Sequence, residues 1–527
     1  MGRKRRRSID RKKDIVPSDE EESTEDLLER IRQLEEEKRR LEERNKRIED
    51  EIKRIEDENR IFRKYLKMNG LEPIALLEQN KELLRRVNMN SSNSSKPPSS
   101  DGYMKPSPKS LRVKTGRKRG GQPGHKGHGI AVPHEPDVFV DHYPVKCSAC
   151  PNFEMCRSGT VFECRERRNV IDLEVKVNVT EHRSYMAKCP NCPRETVRGV
   201  FPDNVTAFVQ YGDSFAIAAS ILDSFGYISD KRSSEILGAL TGTSISPATI
   251  EALTARSAGK IRPALVEIRR RLQDAEVTNH DETGVRVDGK IHWVHNTSTP
   301  KLTIQSIHPK RGREGIDEHG AIPNPNGTAV HDCWAPYFGY EGDHAVCCAH
   351  LLRELTGNEE YEPKHRWSTL FKEHLLFMKS LADATRDCGR QSPSDSQLEY
   401  CSERYDEIMD IADCECPAPQ DTHPNNPRWK KRRKKGRERS LIERLINLKD
   451  SVCLFVRRLS VPFDNNQAER DVRYIKVKAK VSGCFRSLEK AQEFLDVSSF
   501  LGTARKNGIG PFEALRLAFD GKADTII

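Results

Sequence analysis

Between Leu27 and Leu66 one residue recurs in steps of four and three: Leu27, Ile31, Leu34, Lys38, Leu41, Asn45, Ile48, Ile52, Ile55, Asn59, Phe62 and Leu66. A spacing that averages 3.5 follows one side of a helix and has no counterpart in a strand. The positions between are almost all Glu, Lys, Arg or Asp, so the seam is a narrow stripe on a charged rod. Such a stripe is buried against a second helix. A parallel pair of chains is the expectation, with Asn45 and Asn59 at a positions weakening the seam but fixing its register. A long helix folding back on its own chain is the alternative. The coiled coil is expected over residues 24–68, after a charged tail over 1–23 and before a helical segment over 69–87.

A chain of 527 residues is too long for one core, so several domains follow. Lys and Arg outnumber Asp and Glu by 90 to 80, a net +10, and the excess is clustered. Clusters of that sign point to a polyanionic partner. No apolar run is long enough to span a membrane. The basic opening MGRKRRRSIDRKK lacks the apolar core of a secretory signal. The fifteen cysteines are an odd count with Cys-x-x-Cys spacings, which favours reduced thiols, some of them metal ligands, in an intracellular compartment.

Residues 88–128 read as a linker rich in Ser, Asn, Pro and Gly. At its end, Gly residues allow close backbone approach to a groove while Arg117, Lys118, Arg119 and Lys126 supply phosphate contacts. His125 and His128 stay unassigned. Over 129–203, the pairs Cys147/Cys150 and Cys189/Cys192 supply four thiolates for a closed tetrahedral Zn²⁺. The alternating VIDLEVKVNV between them suits a strand of a zinc-ribbon-like unit, and Cys156 and Cys164 lie in the gap as competing ligands.

Residues 204–274 carry helical periodicity, with Ser246 capping before Pro247 and a candidate helix-turn-helix around it. From Ala275 the period changes to two. A hairpin turning at Asp288-Gly289 is followed by strands at LTIQSIH, GTAVHD and HAVCCA, with the polar stretch KRGREGIDEHG as a crossover. Three antiparallel strands, a crossover and further strands flanked by helices is a ribonuclease-H-like order, here the first part of a core over 275–354. A helical insertion is expected over 355–460, its basic run Arg428 to Arg439 following DNA backbone. The core resumes over 461–486, and a helical segment over 487–527 ends the chain. The fold class is therefore multidomain, α+β and α/β.

Asp281 on the first core strand, Asp332 at the end of the fourth and Glu469 opening a later helix are the chemistry-bearing acids. Neighbouring strand residues face opposite ways, so Asp281 rather than Glu282 turns to the metals. Three carboxylates of this kind can hold two Mg²⁺ ions for in-line phosphodiester cleavage and joining. Glu469 follows the capping run Asp464-Asn465-Asn466, and neighbouring cations would keep it ionised. Arg470, Arg473, Lys476, Lys478 and Lys480 on that helix would meet DNA phosphates.

These motifs together resemble the large DDE transposase of the insertion sequence 66 family. The tract Asn93–Gly102 and Gly120–His128 look like its linker signatures, DETGVRV at Asp281 its first catalytic block and DNNQAER at Asp464 its last. The two Cys-x-x-Cys pairs are similar to its zinc-binding domain, and Cys347-x-x-His350 resembles an element found after the second Asp in several DDE families. The resemblance implies a ribonuclease-H-like core with Asp281, Asp332 and Glu469 binding Mg²⁺ or Mn²⁺. It also implies cleavage at element ends, joining of 3′-hydroxyls to target DNA, accessory proteins from the same element, and a prokaryotic, cytoplasmic setting. The second block departs from the family pattern: VHDCWAPY stands where Asp-Gly before an aromatic is usual, and Asp343 is the rival second acid.

If the seam pairs two chains, Asn45→Ile should strengthen association and loosen its stoichiometry, which sedimentation equilibrium reads directly. An unchanged monomer would remove the coiled coil.

Overall fold

The computed structural model describes residues 24–68, 73–94, 130–159, 163–188, 190–191, 196–418 and 436–527. It divides into two units, Met1–Met89 and Asn90–Ile527. In the first, α1 (Thr24–Met68) is a single helix of 45 residues and α2 (Pro73–Asn88) follows. Leu34, Leu41, Ile48 and Ile52 on α1 are 53, 51, 44 and 51 % exposed, so the heptad stripe lies uncovered where its side chains are described.

In the second unit, α3 (Val145–Ser148) and α4 (Phe153–Gly159) precede a two-stranded antiparallel hairpin, β1 (Met186–Lys188) with β2 (Thr196–Arg198). The expected strand VIDLEVKVNV is not one: Val170, Leu173 and Val179 are exposed and no strand is assigned there. An alternating pattern becomes a strand only when a partner covers one face, and among the described residues none does.

Three helices pack on one another next, α5 (Asp213–Ser220), α6 (Asp230–Thr241) and α7 (Pro247–Gln273), and α7 shares a core with the later helix at Leu488–Lys506 and with Ile304 of the sheet. As expected, the Ser246 side chain caps α7 by accepting from the Thr249 N–H, and Pro247 occupies the first turn, where a missing N–H costs nothing. Ile250, Leu253, Ile261, Leu265, Ile268 and Leu272 are buried along the whole of α7. The helix-turn-helix candidate thus supplies a core helix.

The sheet has five strands in the order β5-β4-β3-β6-β7: β3 (Val277–Val287), β4 (Lys290–Ser298), β5 (Thr303–His308), β6 (Thr328–His331) and β7 (Asp343–Val346). β3, β4 and β5 are antiparallel, whereas β6 pairs parallel to β3 and β7 parallel to β6. The hairpin turns on Asp288 and Gly289 with φ of 48° and 73°, the two positive values that a two-residue turn matching strand twist requires. The KRGREGIDEHG crossover is partly helical: α8 (Arg313–His319) buries Ile316 and ends at Gly320, φ 61°.

A helical insertion follows β7: α9 (Cys348–Tyr361), α10 (Trp367–Asp387), α11 (Asp395–Glu415), α12 (Arg437–Asn447) and α13 (Lys449–Arg457). Its core of Trp367, Phe371, Leu375, Tyr405 and Ile442 is continuous with Val330 and Val346 of the sheet, so the insertion is anchored on β6 and the edge strand β7. Asn93 is docked here too: its amide donates to Glu360 at 2.7 Å. A Cβ at Gly357 would come within 2.1 Å of the Asn93 carbonyl oxygen. Most of the basic run lies outside the described residues. Arg439, at its end, is buried and bonded to Asp413 and Glu443, so it is not a phosphate contact.

The chain closes with α14 (Asn466–Ser482), α15 (Leu488–Lys506) and α16 (Pro511–Phe519). Val472, Ile475, Phe494 and Leu495 cover Val285, Val294 and Ile307 on one sheet face. Two buried ion pairs tie these helices down. Lys478 meets Asp223 and the Ile228 carbonyl, and Lys506 meets Asp471 at 2.7 Å together with the carbonyls of Thr299 and Leu302. Breaking one partner of such a pair leaves an uncompensated buried charge. Lys478→Met should therefore lower unfolding free energy by about 3–5 kcal/mol, and adding Asp223→Leu should recover most of it, as read by urea unfolding of each variant.

Candidate active site

β3 carries Asn279 and Asp281 on the face turned to α14, and His280 and Glu282 on the other, as alternation dictates. Asp332 follows β6 directly, and because β6 runs parallel to β3 its end reaches the level of Asp281. Glu469 lies in the first turn of α14, its N–H bonded to the Asn465 carbonyl at 3.2 Å.

Asn465 sets this helix against the sheet. Its side-chain amide donates to the His280 carbonyl at 2.6 Å, its side-chain oxygen accepts from Asn279 at 2.9 Å, and its backbone N–H donates to Cys347 Sγ at 3.2 Å. It makes no capping bond. The run Asp464-Asn465-Asn466 was expected to cap, but only Asp464 acts locally, accepting from the Asn466 N–H at 3.0 Å. The buried amide of Asn465 instead pins α14 to the residue preceding Asp281.

Asp281 lies within electrostatic reach of both Asp332 and Glu469. Burial pushes the Asp281 carboxyl well above its usual range, and the nearby charges of Glu282, Glu469 and Asp332 push it further. Glu469 is raised by burial and by Asp464 and Asp332, outweighing the lowering effect of Arg353 and Arg473. Arg353 and Arg473 favour the ionised form, as expected of neighbouring cations, and burial opposes them. Asp332 is raised by burial, although it accepts from the Trp334 N–H at 2.9 Å. Asp343 is elsewhere. It pairs in register with Thr328 at the opposite end of the parallel strands and bonds Arg458 at 2.7 Å.

Glu282 is buried on the other face, accepting from Arg311 and from the Tyr337 hydroxyl at 3.1 Å. The Arg311 guanidinium lies 4.2 Å from the Trp334 ring and 5.0 Å from that of Trp293. Nothing in the sequence signals these roles for Arg311 and Tyr337, and it signals only a capping role for Asn465, because their partners come from tertiary contact.

Among the cations expected to meet DNA, Arg470 and Arg473 are exposed on α14. Lys476 donates to the Gly284 carbonyl at 2.8 Å, and Lys478 is buried against Asp223, so its ammonium serves the interior. Cys147 and Cys150 form a tight turn, with the Cys150 N–H on the Cys147 carbonyl at 3.0 Å. Cys189 and Cys192 lie outside the described residues, between β1 and β2; so do Arg117, Lys118, Arg119, Lys126, His125 and His128.

Buried oxygen donors that repel one another suit a hard divalent cation, and Glu469 Oε1 is buried with no hydrogen-bond partner. The raised carboxyls make the cation-free fold sensitive to pH with a definite sign. Their stabilising contribution is complete below the ordinary values of 3.8 and 4.5 and is lost as pH rises through the raised ones. At pH 7, Mg²⁺ at a hundred times its Kd should stabilise by about 2.7 kcal/mol. Without Mg²⁺, Asp281→Asn should unfold at a higher temperature than the wild type and gain less from Mg²⁺, a comparison that differential scanning calorimetry makes.

Comparison with known families places this architecture. The model of the transposase IS66 family matches residues 225–493, which span the sheet, the insertion and α14. A family of unknown function, DUF6444, matches residues 56–131. No curated protein matches the chain. With half of its length matched, including every strand of the five-stranded sheet, the chain belongs to the IS66 family of transposases.

Proposed function

We propose that the chain is a DDE transposase that cuts DNA at the ends of its own insertion sequence and joins the freed 3′-hydroxyls to target DNA. The observation that carries this reading is the electrostatic convergence of Asp281, Asp332 and Glu469 from three separate segments. The strand order β5-β4-β3-β6-β7, antiparallel on one side of β3 and parallel on the other, supports a ribonuclease-H-like core.

Asp281, Asp332 and Glu469 would hold two Mg²⁺ or Mn²⁺ ions, which when bound activate the attacking oxygen and neutralise the leaving one. The residues themselves do the positioning. β3 carries one carboxylate within a rigid strand, the end of β6 carries the second, and Asn465 holds the third at the start of α14. Arg470 and Arg473, exposed next to Glu469, meet phosphates flanking the cut. Water is the nucleophile for cleavage and the DNA 3′-hydroxyl for joining, so one site serves both steps.

The remaining assignments complete the reading. Cys147, Cys150, Cys189 and Cys192 hold a structural Zn²⁺, and Arg117, Lys118, Arg119 and Lys126 contact DNA backbone. The uncovered stripe of Leu34, Leu41, Ile48 and Ile52 pairs with that of a second chain in a parallel coiled coil. Accessory proteins of the same element act alongside it.

The test is incubation of the purified protein with labelled DNA carrying the element's terminal repeats and Mg²⁺ or Mn²⁺. Cleavage at the ends should occur, with joined products, and should fall by at least about a thousandfold in Asp281→Asn and Glu469→Gln, comparable to losing a main electrostatic contribution to catalysis. End binding should persist in both variants and weaken steeply with salt. Binding without cleavage, with the accessory proteins present, would leave a DNA-binding protein in place of the enzyme.

A further inference from the structure

Cys347, at the end of β7, and His350, in the first turn of α9, are three residues apart and face one side. Their ligand atoms and one from Glu469 all lie within 4.8 Å of one another. His350 Nδ1 is 3.8 Å from Glu469 Oε1, and these two buried atoms have no hydrogen-bond partner. A tetrahedral Zn²⁺ with bonds of about 2.0–2.3 Å separates its N, O and S ligands by roughly 3.3–3.6 Å. The arrangement therefore needs shifts of only a few tenths of an ångström between the nitrogen and the oxygen.

We propose that Cys347, His350 and Glu469 form a binding site for a thiophilic divalent cation of the zinc class, and that this cation competes with Mg²⁺ for Glu469. The inference rests on the assignment of Glu469 to the Asp281–Asp332 cluster made above.

The donor set distinguishes the two cations. Thiolate and imidazole select zinc-class ions, whereas Mg²⁺ takes carboxylate and water oxygens. Cys347 is prepared for the role, since its sulfur already accepts the Asn465 backbone N–H at 3.2 Å, the kind of outer hydrogen bond that steadies a metal-bound thiolate. On coordination the thiol releases its proton to solvent and the sulfur lone pair forms the bond. Glu469 is the residue both sites require, so a cation held by Cys347 and His350 draws its carboxylate from the acids on β3 and β6. Arg353, one turn along α9, attracts the same carboxylate and sets how tightly the cation can hold it.

The test uses the full chain with Zn²⁺ already loaded on its N-terminal thiols, titrated with Co²⁺ and followed by thiolate-to-cobalt charge-transfer absorption. The wild type should take up one further equivalent with this absorption. Cys347→Ser should lose the band, and His350→Gln, which leaves the buried sulfur in place, should bind at least about 10–100-fold more weakly. Circular dichroism establishes that each variant is folded. No further equivalent in the wild type, or the same band and affinity in folded Cys347→Ser and His350→Gln, would overturn the site. Competition is read from the rise in unfolding midpoint on adding Mg²⁺. Bound Co²⁺ should suppress that rise in the wild type and much less in His350→Gln, and an unsuppressed rise would overturn the competition. Failure of DNA cleavage would count against the transposase chemistry while leaving the cobalt spectrum unaffected, so the two can fail separately.

Discussion

Everything at the centre of this protein depends on Asn465. A side-chain amide offers donors and an acceptor at fixed angles, and here all the contacts are long-range: the His280 carbonyl, the Asn279 amide and, through the backbone, the Cys347 sulfur. Two of them fasten the start of α14 to neighbouring residues of β3 and the third fastens it to the residue after β7. The next turn of that helix delivers Glu469 to Asp281 and Asp332. The residue sits in a run that reads like a helix cap, yet its side chain does the work of a rivet between elements separated by nearly two hundred residues of chain.

A rivet is needed because the acids repel one another. Burial raises all three, and the charges of Asp332 and Glu469 raise Asp281 further, so the fold must hold them against an electrostatic cost that a bound cation would offset. The supports around the cluster fit that demand. Glu282 is held off by Arg311 and Tyr337, and Lys478 and Lys506 fasten α14 and α15 through buried ion pairs. Pairs of this kind often contribute little net stability, but breaking one costs several kcal/mol, so they fix position more than they add strength.

The same geometry explains why Asp332 and not Asp343 stands with the other two acids. Both precede or follow short parallel strands in similar polar sequence. Parallel pairing puts the two at opposite ends of the strands, with Asp332 at the carboxyl end level with Asp281 and Asp343 at the amino end. Strand direction separates two acids that residue type leaves equivalent.

Local features of the sequence were legible because local physics governs them. Asp288-Gly289 demanded a tight turn, Ser246-Pro247 a helix start, and the heptads a long helix, and each is present. Strand positions along the sheet could be read from alternation, and Asp281, Asp332 and Glu469 could be singled out by type and setting. What the sequence left undetermined required a partner from far along the chain. VIDLEVKVNV alternates like a strand but has no neighbour to pair with among the described residues, and KRGREGIDEHG looks like a loop but buries Ile316 as a helix. Lys478 reads as one more basic residue on a DNA-facing helix until Asp223 neutralises it in the interior. Sequence by itself determined the elements and the acids available to them. Tertiary structure decided which charges face one another, because burial and long-range contact, not residue identity, set their energies.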